Sequence, residues 1–300
     1  MENIFGNTRY NSIGNYLKNT FGQKVIKLSL DGGFTCPNRD GTKGTGGCIF
    51  CSAEGSGDFA NTIPEQIELL KKKWPDSSKC IAYFQSHTNT YAPVEVLRSK
   101  FEEALSHENI IGLAIATRPD CISDEAFDLI DELNKKTFLW VELGLQTAFD
   151  ETAAKINRCY DLPVFEETMK RLGSLGIKIV VHLIFGLPGE SRAQMLESVG
   201  YTAGMNPFGI KFHLLNVVRG SQMEKLYPDY VPFSSIEEYV ALVTDALEIL
   251  PQEITVHRLT ADAPRPILIA PEWSYKKRTI LNGIAAELRA RDSFQGCRLR

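Results

Sequence analysis

The sequence predicts an α/β protein, a partial (β/α)6 barrel carrying a C-terminal extension of one strand and one helix. Three observations carry this. Seven short runs rich in β-branched and other apolar residues recur along the chain. Segments of helical period separate most of them. The residues able to do chemistry gather where the runs end, which is where a barrel of this kind places its active site.

The runs are 25–31, 79–85, 111–117, 138–145, 177–185, 209–217 and 253–259. Most are nearly continuous in apolar residues, as suits parallel strands covered on both faces. The helical segments between them are 62–74, 93–106, 123–135, 163–175, 191–205 and 234–250. Thr62 with Pro64 in the first turn, Ser123 before Asp124 and Glu125, and Ser234 with Glu237 three residues on give three of these helix starts a capping signal. Alternation of strand and helix implies right-handed parallel crossovers. A doubly wound open sheet is the alternative arrangement. The reading divides the chain into an N-terminal extension (1–24), the barrel (25–230) and a C-terminal extension (231–300). The last segment, Trp273–Arg291, has Ile280, Leu281, Ile284 and Leu288 at helical spacing, so it is expected to pack as a terminal helix with its charged side outward.

The chain has 300 residues, 43% of them hydrophobic and 23% charged, an ordinary globular composition. A net charge of −4 gives no global case for nucleic acid or membrane binding. Charge is uneven, however. From Trp273 to Arg300 seven basic residues (Lys276, Lys277, Arg278, Arg289, Arg291, Arg298, Arg300) face two acidic ones, a net +5 that leaves the remainder at −9. Such asymmetry marks either a polyanion-facing edge or a solvated helix face. The N-terminus lacks the basic and apolar regions of a signal peptide. The longest apolar stretch, Ile177 to Leu187, is broken by Lys178, His182 and Gly186 and falls short of the roughly 18 residues that span a bilayer. A cytoplasmic location is therefore expected. Thiols stay reduced there, and seven cysteines then suggest metal or redox chemistry or inert burial, rather than disulfides.

After the first strand comes Gly32-Gly33-Phe34-Thr35-Cys36-Pro37-Asn38-Arg39-Asp40, a glycine-rich stretch, and then Cys48-Ile49-Phe50-Cys51. Glycines let the loop fold closely around a guest, and thiolates ligate soft metals and iron–sulfur clusters. A structural zinc site wants four ligands, and a fourth would have to come from a distant group such as His87. A redox Cys-x-x-Cys pair leaves Cys36 without a role. A cluster held by three thiolates keeps one iron open for another molecule, and the missing fourth ligand favours it. Cys80, Cys121, Cys159 and Cys297 are dispersed and are expected to be inert small hydrophobes.

This loop resembles the cluster loop of the radical SAM superfamily. There the cysteines usually run Cys-x3-Cys-x2-Cys, with an aromatic residue before the last, matched here by Phe50. The eleven-residue first gap departs from that spacing. Together with the frame GGFTCPNRDG…GTGGCxFC, it resembles the YtqA/YhcC-like subfamily, the MnmL-type tRNA wobble-uridine modifying enzymes. The likeness runs from about Leu28 to Pro266. It implies a TIM-like radical SAM barrel, with a [4Fe–4S] cluster on Cys36, Cys48 and Cys51 and S-adenosylmethionine (SAM) on the open iron.

The same resemblance assigns expected roles at the strand ends. Gln85 stands where superfamily members often carry the Glu of a Gly-Gly-Glu segment that contacts the SAM ammonium. Thr117 opens a segment similar to the TRPD of Elongator-type proteins, which also reads as a strand-to-helix turn. Glu142 or Gln146 is implied near the ribose and Arg158 near the methionine carboxylate. The plainer readings are a buried ion pair for Glu142 and a surface position for Arg158. Gly186 and Leu187, in a segment similar to GxIxGLPGE, are implied to let the adenosine approach, and Asn216 and Val218 to pass the adenine. His87, Tyr91, His182, His257 and Arg258 are candidate substrate-facing residues, the last two within the element His257–Pro264 that matches HRLTxDAP.

In this family the reduced cluster cleaves SAM to a 5′-deoxyadenosyl radical that takes a hydrogen from the substrate. The resemblance implies conversion of carboxymethylaminomethyluridine to aminomethyluridine at the tRNA wobble position, with tRNA as partner and a reductant such as flavodoxin or ferredoxin. The alternatives are a radical SAM enzyme acting on a small metabolite or peptide, and a nonenzymatic zinc-binding module.

Overall fold

The computed structural model describes residues 2–52, 62–261 and 263–299. Seven parallel strands form one sheet in the order of their occurrence: β1 (Val25–Leu30), β2 (Lys79–Phe84), β3 (Ile110–Thr117), β4 (Phe138–Gln146), β5 (Lys178–Phe185), β6 (Gly209–Leu214) and β8 (Thr255–Arg258). The sheet curls into a barrel and is not the doubly wound alternative. Lys211 on β6 donates to the Tyr83 hydroxyl on β2 at 2.9 Å. In a flat sheet those two strands would stand about 19 Å apart at 4.8 Å per strand. Among the described residues no ladder joins β8 to β1, so the barrel is open along one side.

Each helix forms where local chemistry and burial agree. Helix α2 (Ile63–Lys71) has a capping box between Thr62 and Glu65 and a proline in its first turn. Helix α3 (Val94–Leu105) follows Pro93, and α4 (Asp124–Lys136) is capped by Ser123, which accepts from the Ala126 amide. A short α5 (Asp150–Lys155) precedes α6 (Leu162–Ser174). Ser191 and Gln194 form a second capping box on α7 (Arg192–Gly204). Their apolar faces, with Phe101, Phe127, Ile130, Phe165 and Leu172, pack on the convex side of the sheet and form the main core.

Four features depart from the sequence reading. The helix expected from Ser234 is α9 (Ile236–Glu248), capped by Ser235, while Ser234 binds the Glu238 carboxylate. The sixth strand stops at Leu214, its last ladder bond running from the Leu215 amide to the Phe185 carbonyl. The next residues form β7 (Val217–Val218), paired antiparallel with β9 (Leu268–Ala270), with α8 (Gln222–Leu226) just beyond β7. In the terminal helix α10 (Lys277–Ala290), Ile280, Ile284 and Leu288 are buried but Leu281 is exposed. The basic tail is not wholly outward either. Arg291 pairs with Asp245 at 2.6 Å and Arg298 with Glu248 at 2.8 Å, both acids on α9.

The N-terminal residues hold the fourth departure, a helix α1 (Ile13–Phe21) between Ser12 as cap and Gly22 in the left-handed region. Ile13 and Leu17 of α1 pack against Val25, Ile81, Trp140 and Val180. Tyr16 stacks edge-on against Phe208 and Phe21 against Phe138. The Asn11 carbonyl accepts from the Val256 amide at 2.7 Å, fastening the approach to α1 along β8. Helix α1 thus plugs the barrel at the N-terminal ends of its strands. The opposite end stays open, because the inward side chains Ser29, Gln85, Gln146, His182, Ile184 and His213, at or near the C-terminal ends of their strands, are only half buried.

Candidate active site

The cysteine loop closes over the open end of the barrel. The Cys36 carbonyl accepts from the Arg39 and Asp40 amides, and the Cys48 carbonyl accepts from the Cys51 amide, so each half of the loop is a tight turn. Asn38, fully buried, joins the halves. Its carbonyl accepts from the Gly47 amide at 2.8 Å, and its side-chain amide donates to the Asn157 carbonyl and lies 3.7 Å from Cys48 Sγ. Gly44 is needed here, since a Cβ on it would stand 2.6 Å from Asn38 Oδ1.

The loop is anchored on both sides. Ile49 exchanges backbone hydrogen bonds with Ile156 and Met223. Its side chain joins Ile156, Leu187, Leu215, Val217, Met223 and Ala270 in a small apolar core, with Phe50 packed at the edge. On the other side Lys43 pairs with Asp120 at 2.6 Å, and the Tyr91 hydroxyl donates to Thr42. The apolar core strips water from one wall of the loop, which favours electron transfer to a buried acceptor over side reactions with solvent.

Sulfur chemistry is already set up in the loop. Hydrogen bonding between Cys48 and Cys51 pulls the Cys51 thiol down to about 7, with help from Arg39, and together with burial pushes Cys48 up. The charges of Cys36 and Arg118 also bear on Cys48. Among the described residues no three His, Cys, Asp or Glu side chains converge on one point as the ligands of a single ion must. An iron–sulfur cube takes each thiolate at a different iron, so three thiols spread along one loop fit a cluster.

The residues expected at SAM divide into those left available and those already engaged. Gln85, half buried at the end of β2, accepts from Ser29 at 3.2 Å. Gln146 ends β4 in a left-handed conformation with its carboxamide 3.2 Å from the Tyr160 hydroxyl. Asn216 follows β6 and leaves its buried Oδ1 without a partner among the described residues. That orphan acceptor suits an amino donor such as adenine carries. Gly186 has φ +91°, and a Cβ there would meet Pro232 and Phe233 at 2.8 Å. Leu187 lies in the small apolar core, and Val218 is buried on the β7–β9 ribbon. Thr117 is tied to Thr90, their hydroxyls 2.6 Å apart. The TRPD segment continues as a short 3-10 turn whose Arg118 forks onto Asp120, the acid that also holds Lys43. It is both a turn and a staple for the cluster loop.

Two more residues are already engaged within the fold. Arg158 is neither on the surface nor free to receive a carboxylate. It is 1% exposed, donating to the carbonyls of Tyr160, Leu145 and Thr147 and to the Asp150 carboxylate. Four of its five N–H groups are spent on the turn after β4, so its role is to shape that turn. Arg158→Lys is expected to lose most of these bonds and to cost about 2–4 kcal/mol of stability. Chemical denaturation of the purified variant measures this, and the KM for SAM should change little. Glu142 faces the middle of the barrel, in the buried ion pair of its plainer reading. It accepts from Trp140 Nε1 and from Lys211 and lies 2.8 Å from His182 Nε2.

The substrate candidates separate in the same way. His87, in a left-handed turn, sits by the cluster loop, where burial and then Arg39 lower its pKa. His182, His257 and Arg258 line the barrel interior with Glu142. Burial lowers His182 to about 4, leaving it neutral near pH 7. Asp262 of the HRLTADAP element lies outside the described residues. Lys211 and Lys27 were missed because each reads as a stray cation in an apolar strand. The signal lay in the alternation, which places both on the same face as Glu142.

The family description "Radical SAM superfamily" matches residues 39–201, and "Radical_SAM C-terminal domain" matches 207–290. The chain is 47% identical to YtqA of Bacillus subtilis, covering 96% of this chain and 92% of that protein. It is 40% identical to YhcC of Escherichia coli, covering 90% and 89%. The tRNA uridine(34) acetyltransferase of Methanocaldococcus jannaschii is 25% identical over 57% of this chain and 31% of its own length. Among solved structures, the Elp3 of Methanocaldococcus infernus superposes with a TM-score of 0.68 at 17% identity, over 90% of this chain and 64% of that one, and so shares the fold. No helix of the described residues is long and apolar enough to cross a membrane. With the three-cysteine loop and the half-open barrel in place, these likenesses are decisive: the chain belongs to the radical SAM superfamily, and its cofactors are a [4Fe–4S] cluster and S-adenosylmethionine.

Proposed function

We propose that this enzyme matures the side chain of the wobble uridine in tRNA, removing a two-carbon acid unit to turn carboxymethylaminomethyluridine into aminomethyluridine. The observation that carries the reading is the sequence relation of its barrel to tRNA uridine(34) acetyltransferase, a protein whose name places it at the same nucleotide. Family membership also replaces the zinc-module reading of the cysteines. Cys36, Cys48 and Cys51 hold the cluster, which when bound and reduced supplies the electron that splits the sulfonium bond of SAM. Asn216 Oδ1 and the Gln85 carboxamide accept hydrogen bonds from SAM. Ile49, Leu187 and Leu215 keep water off that side. The mouth of the barrel is the entry for the nucleotide, since α1 shuts the other end.

The basic tail gives this reading less support than its charge suggests, because Arg291 and Arg298 are committed to α9. The test is nucleoside analysis of bulk tRNA from a strain lacking the gene. Accumulation of carboxymethylaminomethyluridine, with loss of aminomethyluridine and its derivatives, is expected. An unchanged profile overturns the proposal.

A further inference from the structure

Inside the barrel, between the α1 plug and the cluster end, cations outnumber anions. Lys211 is neutralised by its ion pair with Glu142. Lys27 on β1 and Arg258 on β8 have no such partner. Lys27 lies over the rings of Tyr83 and Trp140, at 5.1 and 5.9 Å. Among the described residues its ammonium has no hydrogen-bond acceptor, and neither has the Arg258 guanidinium.

The placement of Arg258 is built into the sheet. Two successive residues of a strand normally point to opposite faces. Here the β6–β8 register slips, pairing Ile210 with Val256 but Lys211 with Arg258. Val256 and Leu259 both join the outer core. His257 and Arg258, between them, therefore both turn inward. A bulge of this kind re-aims a side chain, and such bulges cluster beside active sites. His257 packs edge-on against Trp140, with rings 5.5 Å apart, and its Nδ1 is buried without a partner. His213 Nε2, from the next strand, is likewise buried, and neither nitrogen has a partner among the described residues. Its ring lies 5.0 Å from that of His182. Two unpaired cations and two orphaned ring nitrogens thus face the barrel interior, spread between its α1 end and its mouth.

We propose that this space binds a carboxylate of the substrate, held between Lys27 and Arg258 with His213 and His257 as neutral hydrogen-bonding neighbours. Partly buried cations without a partner favour an anion beside them, and the arginine fork matches a carboxylate's two oxygens. Because α1 closes the barrel below, a ligand enters from the mouth. A side chain projecting from an extruded base can reach this space. The site rests on the functional reading above, in which the group removed carries a carboxylate at the end of a short secondary amine.

N-methylglycine is that amine and carboxylate in isolation. Isothermal titration of the reconstituted enzyme with SAM bound compares N-methylglycine, its methyl ester and inorganic phosphate. N-methylglycine is expected to bind, and the ester at least about tenfold more weakly. Lys27→Met and Arg258→Met should each weaken N-methylglycine by about tenfold, while Lys27→Arg retains it. Neither truncation strands a hydrogen-bond partner, so both variants should fold, which circular dichroism checks. Equal binding of acid and ester overturns the proposal, as does phosphate binding more tightly than the acid. Loss of carboxylate binding sites with intact tRNA conversion removes this site and leaves the function standing. Binding that depends on Lys27 and Arg258, beside an unchanged tRNA profile, does the reverse.

Discussion

Alanine in place of Cys36, Cys48 or Cys51 is expected to abolish reductive cleavage of SAM. Each substitution removes one of three thiolates, and a cluster left with two has no third anchor in this loop. Another thiol near the loop, Cys159, is exposed and donates to Asn157, and it stands beside Gly44 on a different turn. Cys297, at the far C-terminus, is the control, and Cys297→Ser should keep full activity. Anaerobic reconstitution followed by iron and sulfide analysis reads the cluster directly. 5′-Deoxyadenosine released in the presence of dithionite reads the chemistry. A Cys48→Ala protein that retains stoichiometric iron and cleaves SAM would refute the assignment. The loop itself should survive the change, because Asn38, Ile49, Lys43 and Arg39 hold it through bonds that do not involve sulfur.

What the sequence conveyed well was whatever has a short period or a local chemical signature. The seven strands of the main sheet and the helices between them follow from apolar runs and capping residues. The three cysteines follow from spacing. What it hid depends on distance across the fold. Helix α1 is short, and its four core-facing residues Ile13, Tyr16, Leu17 and Phe21 are interleaved with Gly, Asn, Lys and Thr, so its Ser12 and Gly22 boundaries were easily passed over. Arg158 looked like a ligand-binding arginine because nothing local reveals that the carbonyls of Leu145, Thr147 and Tyr160 converge on it. Lys27, Tyr83, Glu142 and Lys211 belong to four different strands, and only closure of the barrel makes them neighbours. The bulge at His257 is similarly invisible, since it exists as a mismatch with β6.

Closing the barrel around a charged pair has a consequence for stability, and Glu142→Gln should show it. Glu142 and Lys211 are both essentially inaccessible to solvent. Burial raises the Glu142 carboxyl, but Lys211, His182 and Lys27 outweigh it and hold the group well below the usual carboxylate range. Burial acts the other way on Lys211 and draws it down to about 7, with Glu142 opposing. Neutralising the acid leaves an ammonium in a dry interior beside Lys27 and Arg258. Breaking a buried pair in this way costs about 3–5 kcal/mol, a large share of the roughly 5–15 kcal/mol that holds a domain folded. Because the folded carboxyl titrates below its unfolded counterpart, this stabilisation is complete above the unfolded value of about 4.3 and is lost as pH falls through the folded one. Wild type and Glu142→Gln should therefore differ most near neutrality and converge in acid. The double variant Glu142→Leu with Lys211→Met removes both charges and should recover much of the loss, since a buried pair is often replaceable by apolar groups of similar size. Urea unfolding of the four proteins of this cycle, under anaerobic reducing conditions, yields the coupling between the two residues. A Glu142→Gln protein within 1 kcal/mol of wild type, by the order of magnitude expected for exposed pairs, would mean that water or another anion already neutralises Lys211. A near-wild-type double variant that no longer binds N-methylglycine would show instead that the pair is kept to orient the unpaired Lys27 and Arg258 rather than to stabilise the fold.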